Sequence, residues 1–252
     1  SNRESSNMEI CIDSLESAKN AIDGGASRLE VCSALIEGGL TPTPGLLHQI
    51  KIISPIPIYA MLRVRSGNFI YSKEEINCML HDLKILKDHG ANGFVFGALT
   101  SKDEIDVESC KEILREAHPL PVTFHRAFDE AEEPLKSLEI LIDLGFERIL
   151  TSGQKNTALE GLNLIKRLIE KAEDKIIVMP GSGITRDNIL EIKKISGAKE
   201  FHASAKKKKI LRSGARRVKM GATMEESYVV TDRDLVKEME IQKNAMSSPS
   251  AQ

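Results

Sequence analysis

The chain has 252 residues, of which 41% are hydrophobic and 29% charged, with a formal net charge of −2 and no tryptophan. That length fits one large barrel or two smaller domains. The near balance of charge gives no global pull toward nucleic acid or anionic lipid, and no apolar run approaches the ~20 residues of a membrane span.

The opening SNRESSN is polar and lacks the apolar core of a secretory signal. The four cysteines are widely spaced in a chain able to form a large core, so reduced thiols and a cytosolic protein are expected. Met8-Glu9-Ile10-Cys11 reads as a first strand, and Asp13 and Ser14 offer caps to a helix carrying Leu15, Ala18 and Ile22 up to Gly24-Gly25. Arg28-Leu-Glu-Val-Cys32 repeats the Glu-x-Cys pattern on a second strand. Pro57 to Val64 is the third, followed by a Ser72-x-x-Glu75 capping box and a helix with Ile76, Leu80, Leu83 and Leu86 ending at Gly90. Gly93 to Leu99 forms a strand, then a helix follows Asp106. Val122 to Phe128 forms another, with Pro134 opening the helix after it. Arg148 to Ser152 is strand six, Thr157-x-x-Glu160 caps the next helix, and Lys175 to Met179 is strand seven. Thr185 to Ile195 is a helix, Glu200 to Ala205 strand eight, and a last helix runs from Thr231 or Asp232 to about Ala245.

Eight β-then-α units without a break in composition predict a single-domain α/β TIM (β/α)₈ barrel over residues 8–245, with 1–7 and 246–252 as flexible tails. A doubly wound open sheet is the alternative, but its Gly-rich dinucleotide fingerprint is missing.

In such barrels the reactive groups gather at the C-terminal ends of the strands. Residues two apart on a strand share a face, so Glu9 pairs with Cys11, and Glu30 with Cys32. Two neighbouring thiolates suit a soft ion such as Cu(I), with Met61 as a further sulfur; the plain alternative is that both cysteines only pack. Cys78 and Cys110 fall on helices as packing residues. Glu9, Glu30, His125 and Asp129 are the acid-base candidates, although a strand histidine is often only hydrogen-bonded in a core. Gly181, Ser182 and Gly183 after strand seven, with Ser204 and Lys206 after strand eight, form a candidate anion site, which Arg63 and Arg65 can complete as a clamp. Lys206 to Lys219 reads as a basic loop, solvated or acting as an anion lid.

These motifs are similar to a known family. Met8-Glu-Ile-Cys11, Arg28-Leu-Glu-Val-Cys-Ser33, Glu37-Gly-Gly-Leu-Thr-Pro42, Phe94-Val-Phe-Gly-Ala-Leu-Thr100, Val122-Thr-Phe-His-Arg-Ala-Phe-Asp129 and Met179-Pro-Gly-Ser-Gly-Ile184 together resemble the CutC family of copper-homeostasis proteins. The resemblance extends from Met8 to about Thr231. It implies a TIM barrel, a homodimer or homotetramer, a cytoplasmic or nucleocytoplasmic location, and Cu(I) handling through thiols matching Cys11 and Cys32. Val64 and Lys206 stand where the family usually carries proline and arginine; lysine keeps the charge but not the planar fork.

The leading expectation is a copper-homeostasis protein that binds the copper ion. The alternative is an enzyme acting on a small phosphorylated or carboxylated metabolite. A nucleic-acid module built on the basic loop ranks last, and no membrane partner is expected.

Overall fold

The structure is a computed structural model that describes residues 7–221 and 223–245, with the side chains of all of these except 212–217, 219, 220 and 223–226. The expected tails at 1–6 and 246–252 lie outside the described residues, whereas Asn7 belongs to the first strand and donates its N–H to the Lys199 carbonyl at 2.9 Å.

Eight short strands form one parallel sheet: β1 (Asn7–Ile12), β2 (Arg28–Val31), β3 (Ile58–Met61), β4 (Gly93–Phe96), β5 (Val122–Phe124), β6 (Arg148–Thr151), β7 (Ile177–Pro180) and β8 (Glu200–Ala203). The order is β7-β6-β5-β4-β3-β2-β1-β8, and the two ends of that order, β7 and β8, lie against each other. The result is a nearly closed α/β barrel. Helices α1 (Leu15–Gly24), α2 (Pro44–Ile53), α3 (Lys73–Asp88), α4 (Val107–Ala117), α5 (Pro134–Leu144), α6 (Leu162–Ala172), α7 (Ile189–Ser196) and α8 (Arg233–Lys243) surround it.

Side-chain caps mark the starts of several helices, but Thr157, expected to cap the sixth, accepts the Glu160 N–H ahead of α6, whose N-cap is Gly161. The Ser14 side chain accepts the N–H of Ser17, Ser72 and Glu75 complete their reciprocal box, and Asp106 and Asp232 cap α4 and α8. Helix α2, which the strand-and-helix reading passed over, carries Thr43 as N-cap and Pro44 in its first turn.

The two faces of the strands have different tasks. Met8, Ile10, Ile12, Leu29, Phe94, Phe96, Phe124 and Phe201 point outward beneath the helices and make the main core. The alternate residues point into the barrel, where charge replaces much of the usual branched aliphatic filling. Among the described residues no helix is long and apolar enough to cross a membrane.

Two local departures shape the mouth of the barrel. Strand β5 stops at Phe124 instead of running to Phe128, because His125 caps a tight 3-10 turn at Arg126–Glu130 by accepting the Ala127 N–H on its own ring. The stretch expected as a basic loop is instead strand β9 (Lys206–Met220), paired antiparallel with β10 (Thr223–Thr231). Lys209 of this hairpin binds Glu16 on α1 at 2.7 Å, and Lys207 lies 3.7 Å from Asp232, so its base is tied to the barrel.

Candidate functional site

The floor of the barrel is a chain of buried ions. Arg28 on β2 donates to Glu9 on β1 at 2.6 Å and to Glu200 on β8 at 3.2 Å. Arg148 on β6 binds the same Glu200 and gives a further hydrogen bond to Thr123 at 3.1 Å. Both guanidiniums stack on the Tyr59 ring, with centroid distances of 5.1 and 5.6 Å, and the Tyr59 hydroxyl donates to Glu147 at 2.8 Å.

One step toward the mouth, His202 on β8 donates Nδ1–H to Glu9 at 2.7 Å, and the same nitrogen lies 4.0 Å from Glu30. Burial raises the Glu9 carboxyl, but Arg28 and His202 more than offset it and hold Glu9 well below the ordinary carboxylate range. Burial also opposes charge on His202, yet the carboxylates of Glu30 and Glu9 beside the ring keep it protonated well above the ordinary imidazole value. Glu9, Glu30 and His202 can bring one ligand atom each within 4.8 Å of one another. Arg28 already occupies the Glu9 carboxylate, however, and a cation would have to compete with it.

The two cysteines lie above this cluster. The register places Cys11 opposite Glu30 on the neighbouring strand, while Cys32 follows the last residue of β2 and continues its pairing by donating its N–H to the Ile12 carbonyl at 2.9 Å. The two Glu-x-Cys couples are therefore adjacent but staggered. Cys11 lines the cleft at the mouth and donates to the Ala203 carbonyl at 3.6 Å. Cys32 is fully buried, and its thiol donates to Glu30 at 3.4 Å. Burial, followed by the charge of Glu30, pushes the Cys32 thiol well above its ordinary value. Met61 shares an inner cluster with Cys32, Tyr59 and Val95. Gly39 roofs this sulfur pair: at φ +95° a Cβ there would stand 3.1 Å from Cys32 Sγ and 3.6 Å from Met61 Cε. Gly39→Ala is expected to cost ~1–2 kcal/mol in urea unfolding from the left-handed backbone alone.

His125 stands across the mouth. Its Nδ1 accepts the Ala127 N–H at 3.0 Å, so the neutral ring carries its proton on Nε2, and that atom is buried without a protein partner. Burial, helped by the charge of Arg63, lowers its pKa to about 3. An unfolded histidine binds a proton below its ordinary 6.5, and this one does not until about pH 3. As pH falls from about 6.5 to about 3, stability is therefore expected to drop by up to ~1.4 kcal/mol per pH unit from this group, and His125→Asn should flatten that slope. Urea unfolding at several pH values measures it. Gly97 gives the ring its space, since a Cβ would come within 2.4 Å of His125 Cε1. Gly97→Ala is expected to cost ~1–3 kcal/mol by overpacking, and to shift the His125 ring resonances.

The remaining candidates divide. Arg63 lines the cleft, with its Nη groups on the carbonyls of Glu37 at 2.6 Å and Gly67 at 3.1 Å. Arg65 turns away to Glu75 at 2.5 Å and stacks on Tyr71, so the two arginines do not share one ligand position. Asp129 accepts from Arg126 at 2.7 Å, Thr151 at 2.5 Å and the Ser152 N–H at 3.1 Å; it braces the turn and makes no bond to His125. Ser182, Gly183, Ser204 and Lys206 all line the same cleft of about 790 Å³, together with Cys11, Glu30 and His125. Gly181 packs behind them against Leu150 and His202.

Arg28, Arg148 and Glu200 were not among the expected site residues, and His202 stood among the polar strand-end residues without a role. Their alternation on apolar strands was a signal, but which of them meet depends on β8 closing onto β1.

The chain matches the model of the CutC family over residues 6–207. It is 54% identical over 199 residues to the human copper homeostasis protein cutC homolog, covering 79% of this chain and 73% of that protein. It is 45% identical to a family protein CutC of Histophilus somni, covering 91% and 96% of the two chains. Among solved structures, a CutC of Streptococcus agalactiae named for copper homeostasis superposes with a TM-score of 0.76 at 32% identity, covering 79% of this chain and 98% of that one.

Proposed function

Because this chain belongs to the CutC family of copper-homeostasis proteins, we propose that it binds Cu(I) through the sulfurs of Cys11 and Cys32 at the floor of the cleft. The observation that carries this reading is the placement of one thiol on β1 and the other directly after β2, its neighbour, with Met61 beside Cys32. The donor set fits the ion: two thiols and a thioether are soft ligands, and Cu(I) prefers these to the carboxylates and imidazole below them.

Cys11 and Met61 line the cleft, so their sulfurs are open to an arriving ion. Cys32 lies deeper, and its proton must leave before sulfur can bind the metal. Glu30, already accepting from that thiol, is placed to receive the proton. Burial raises the Glu30 carboxyl, which makes it a better proton acceptor than an ordinary surface glutamate.

The raised Cys32 thiol sets the pH dependence. Glu30 passes that proton on to solvent, so binding carries a net proton release and Cu(I) affinity should rise with pH by up to ~10-fold per unit while the thiol remains protonated in the metal-free protein. Anaerobic competition against a chromophoric Cu(I) chelator at several pH values tests this. An affinity independent of pH in the wild type would remove Cys32 from the site.

A further inference from the structure

We propose that the cleft also holds a small phosphorylated hydroxycarbonyl compound, with its phosphate at the β7 and β8 loops and its carbonyl and hydroxyl groups facing β2, β3 and β5. Among the described residues, four buried side-chain nitrogen or oxygen atoms lack a hydrogen-bond partner, and three of them belong to residues lining this one cleft. They are Glu30 Oε2, Arg63 Nε and His125 Nε2. These residues are 3%, 8% and 4% exposed, so bulk water does not readily satisfy them. A buried group without a hydrogen bond costs ~1–3 kcal/mol, and three of them on residues lining one cleft point to a complementary partner; among the described residues the ion-pair partner of Glu30 Oε2 is His202 Nδ1 at 4.0 Å, beyond hydrogen-bond reach.

Their chemistry defines that partner. The fixed tautomer of His125 makes Nε2–H a neutral donor, and Arg63 Nε–H is a cationic one. Both call for an acceptor such as a carbonyl oxygen. Glu30 Oε2 is an acceptor while the carboxyl is ionised, and calls for a hydroxyl donor. A hydroxycarbonyl end supplies both.

The opposite wall supplies the anion site. Ser182 and Gly183 turn the chain at φ +81° and +70°. The backbone N–H groups of Ser182, Gly183 and Ile184, and those of Ser204 and Ala205, meet no protein acceptor among the described residues. Lys206 is exposed on the same cleft and has no ion-pair partner among the described residues. Amide donors and a free ammonium are the elements of a phosphate site in barrels of this kind. The volume of about 790 Å³ is ample for a compound of this size.

Calorimetric titration of the full chain with dihydroxyacetone phosphate, dihydroxyacetone and inorganic phosphate tests the assignment. The phosphorylated hydroxyketone should bind with a Kd below ~1 mM and at least ~10-fold more tightly than either fragment. Lys206→Glu, on the surface, should weaken both phosphate-bearing probes. His125→Asn keeps an acceptor for the Ala127 N–H but lacks the Nε2 donor; it should weaken dihydroxyacetone phosphate by ~5–10-fold and leave inorganic phosphate unchanged. Equal affinity for dihydroxyacetone phosphate and inorganic phosphate, indifference to both substitutions, or no saturation up to ~10 mM would each overturn the proposal. Because neither substitution touches a cysteine, an unchanged Cu(I) affinity in both variants separates this site from the copper reading.

Discussion

Replacing Arg28 by methionine is expected to destabilise the protein by ~3–5 kcal/mol, a large share of the ~5–15 kcal/mol that holds a typical domain folded. The reason is geometric. Arg28 is the link between Glu9 and Glu200 at 2.6 and 3.2 Å, and all three are buried in the barrel floor. Without it, Glu9 keeps only His202, while Glu200 keeps Arg148. The penalty is that of leaving a carboxylate in a dry interior, more than that of losing an attraction. The double variant Arg28→Met, Glu9→Gln should therefore cost less than the sum of its parts in urea unfolding. A loss below ~1 kcal/mol for Arg28→Met would show that the floor is hydrated and the ions are not coupled.

The same network sets opposing pH trends. Glu9 is depressed in the folded state, so its contribution is present above its ordinary 4.5 and drains away as pH falls toward its lower folded value. His202 is raised, so its contribution is complete below its ordinary 6.5 and is lost as pH rises through its folded value. The Glu9–His202 pair therefore stabilises the barrel most between about 4.5 and 6.5.

The second large effect concerns the metal. Cys11→Ser together with Cys32→Ser is expected to lower Cu(I) affinity by more than ~100-fold, because even outer partners of metal ligands are worth ~10–100-fold. Each hydroxyl is a hard donor in place of a soft one. Both substitutions fit the space left by sulfur, and a hydroxyl in place of the Cys32 thiol can still donate to Glu30. The fold should survive, and an unchanged melting transition is the control. Equal copper binding by the double variant would move the ion elsewhere in the barrel.

Much of this architecture was legible in the sequence because local rules govern it. Capping residues such as Ser14, Ser72 and Asp106 mark helix starts, and the alternation of Glu9 with Cys11 assigns both to one face. What local rules do not supply is the rotation of one strand against its neighbour. The register puts Cys11, not Glu9, beside Glu30, and brings His202 from the far end of the chain onto Glu9. Alternation also fails where a strand stops early. Strand β3 ends at Met61, so Arg63 and Arg65 follow loop geometry and diverge. Strand β5 ends at Phe124, so Asp129 lies in a turn and braces Arg126 instead of orienting His125.

The most direct measurement is X-ray absorption at the copper edge of the Cu(I)-loaded chain. Coordination by sulfur alone, lost in the double cysteine variant, is the predicted result. A first shell of nitrogen and oxygen that persists in that variant would contradict it, and would place the ion on Glu9, Glu30 and His202 instead.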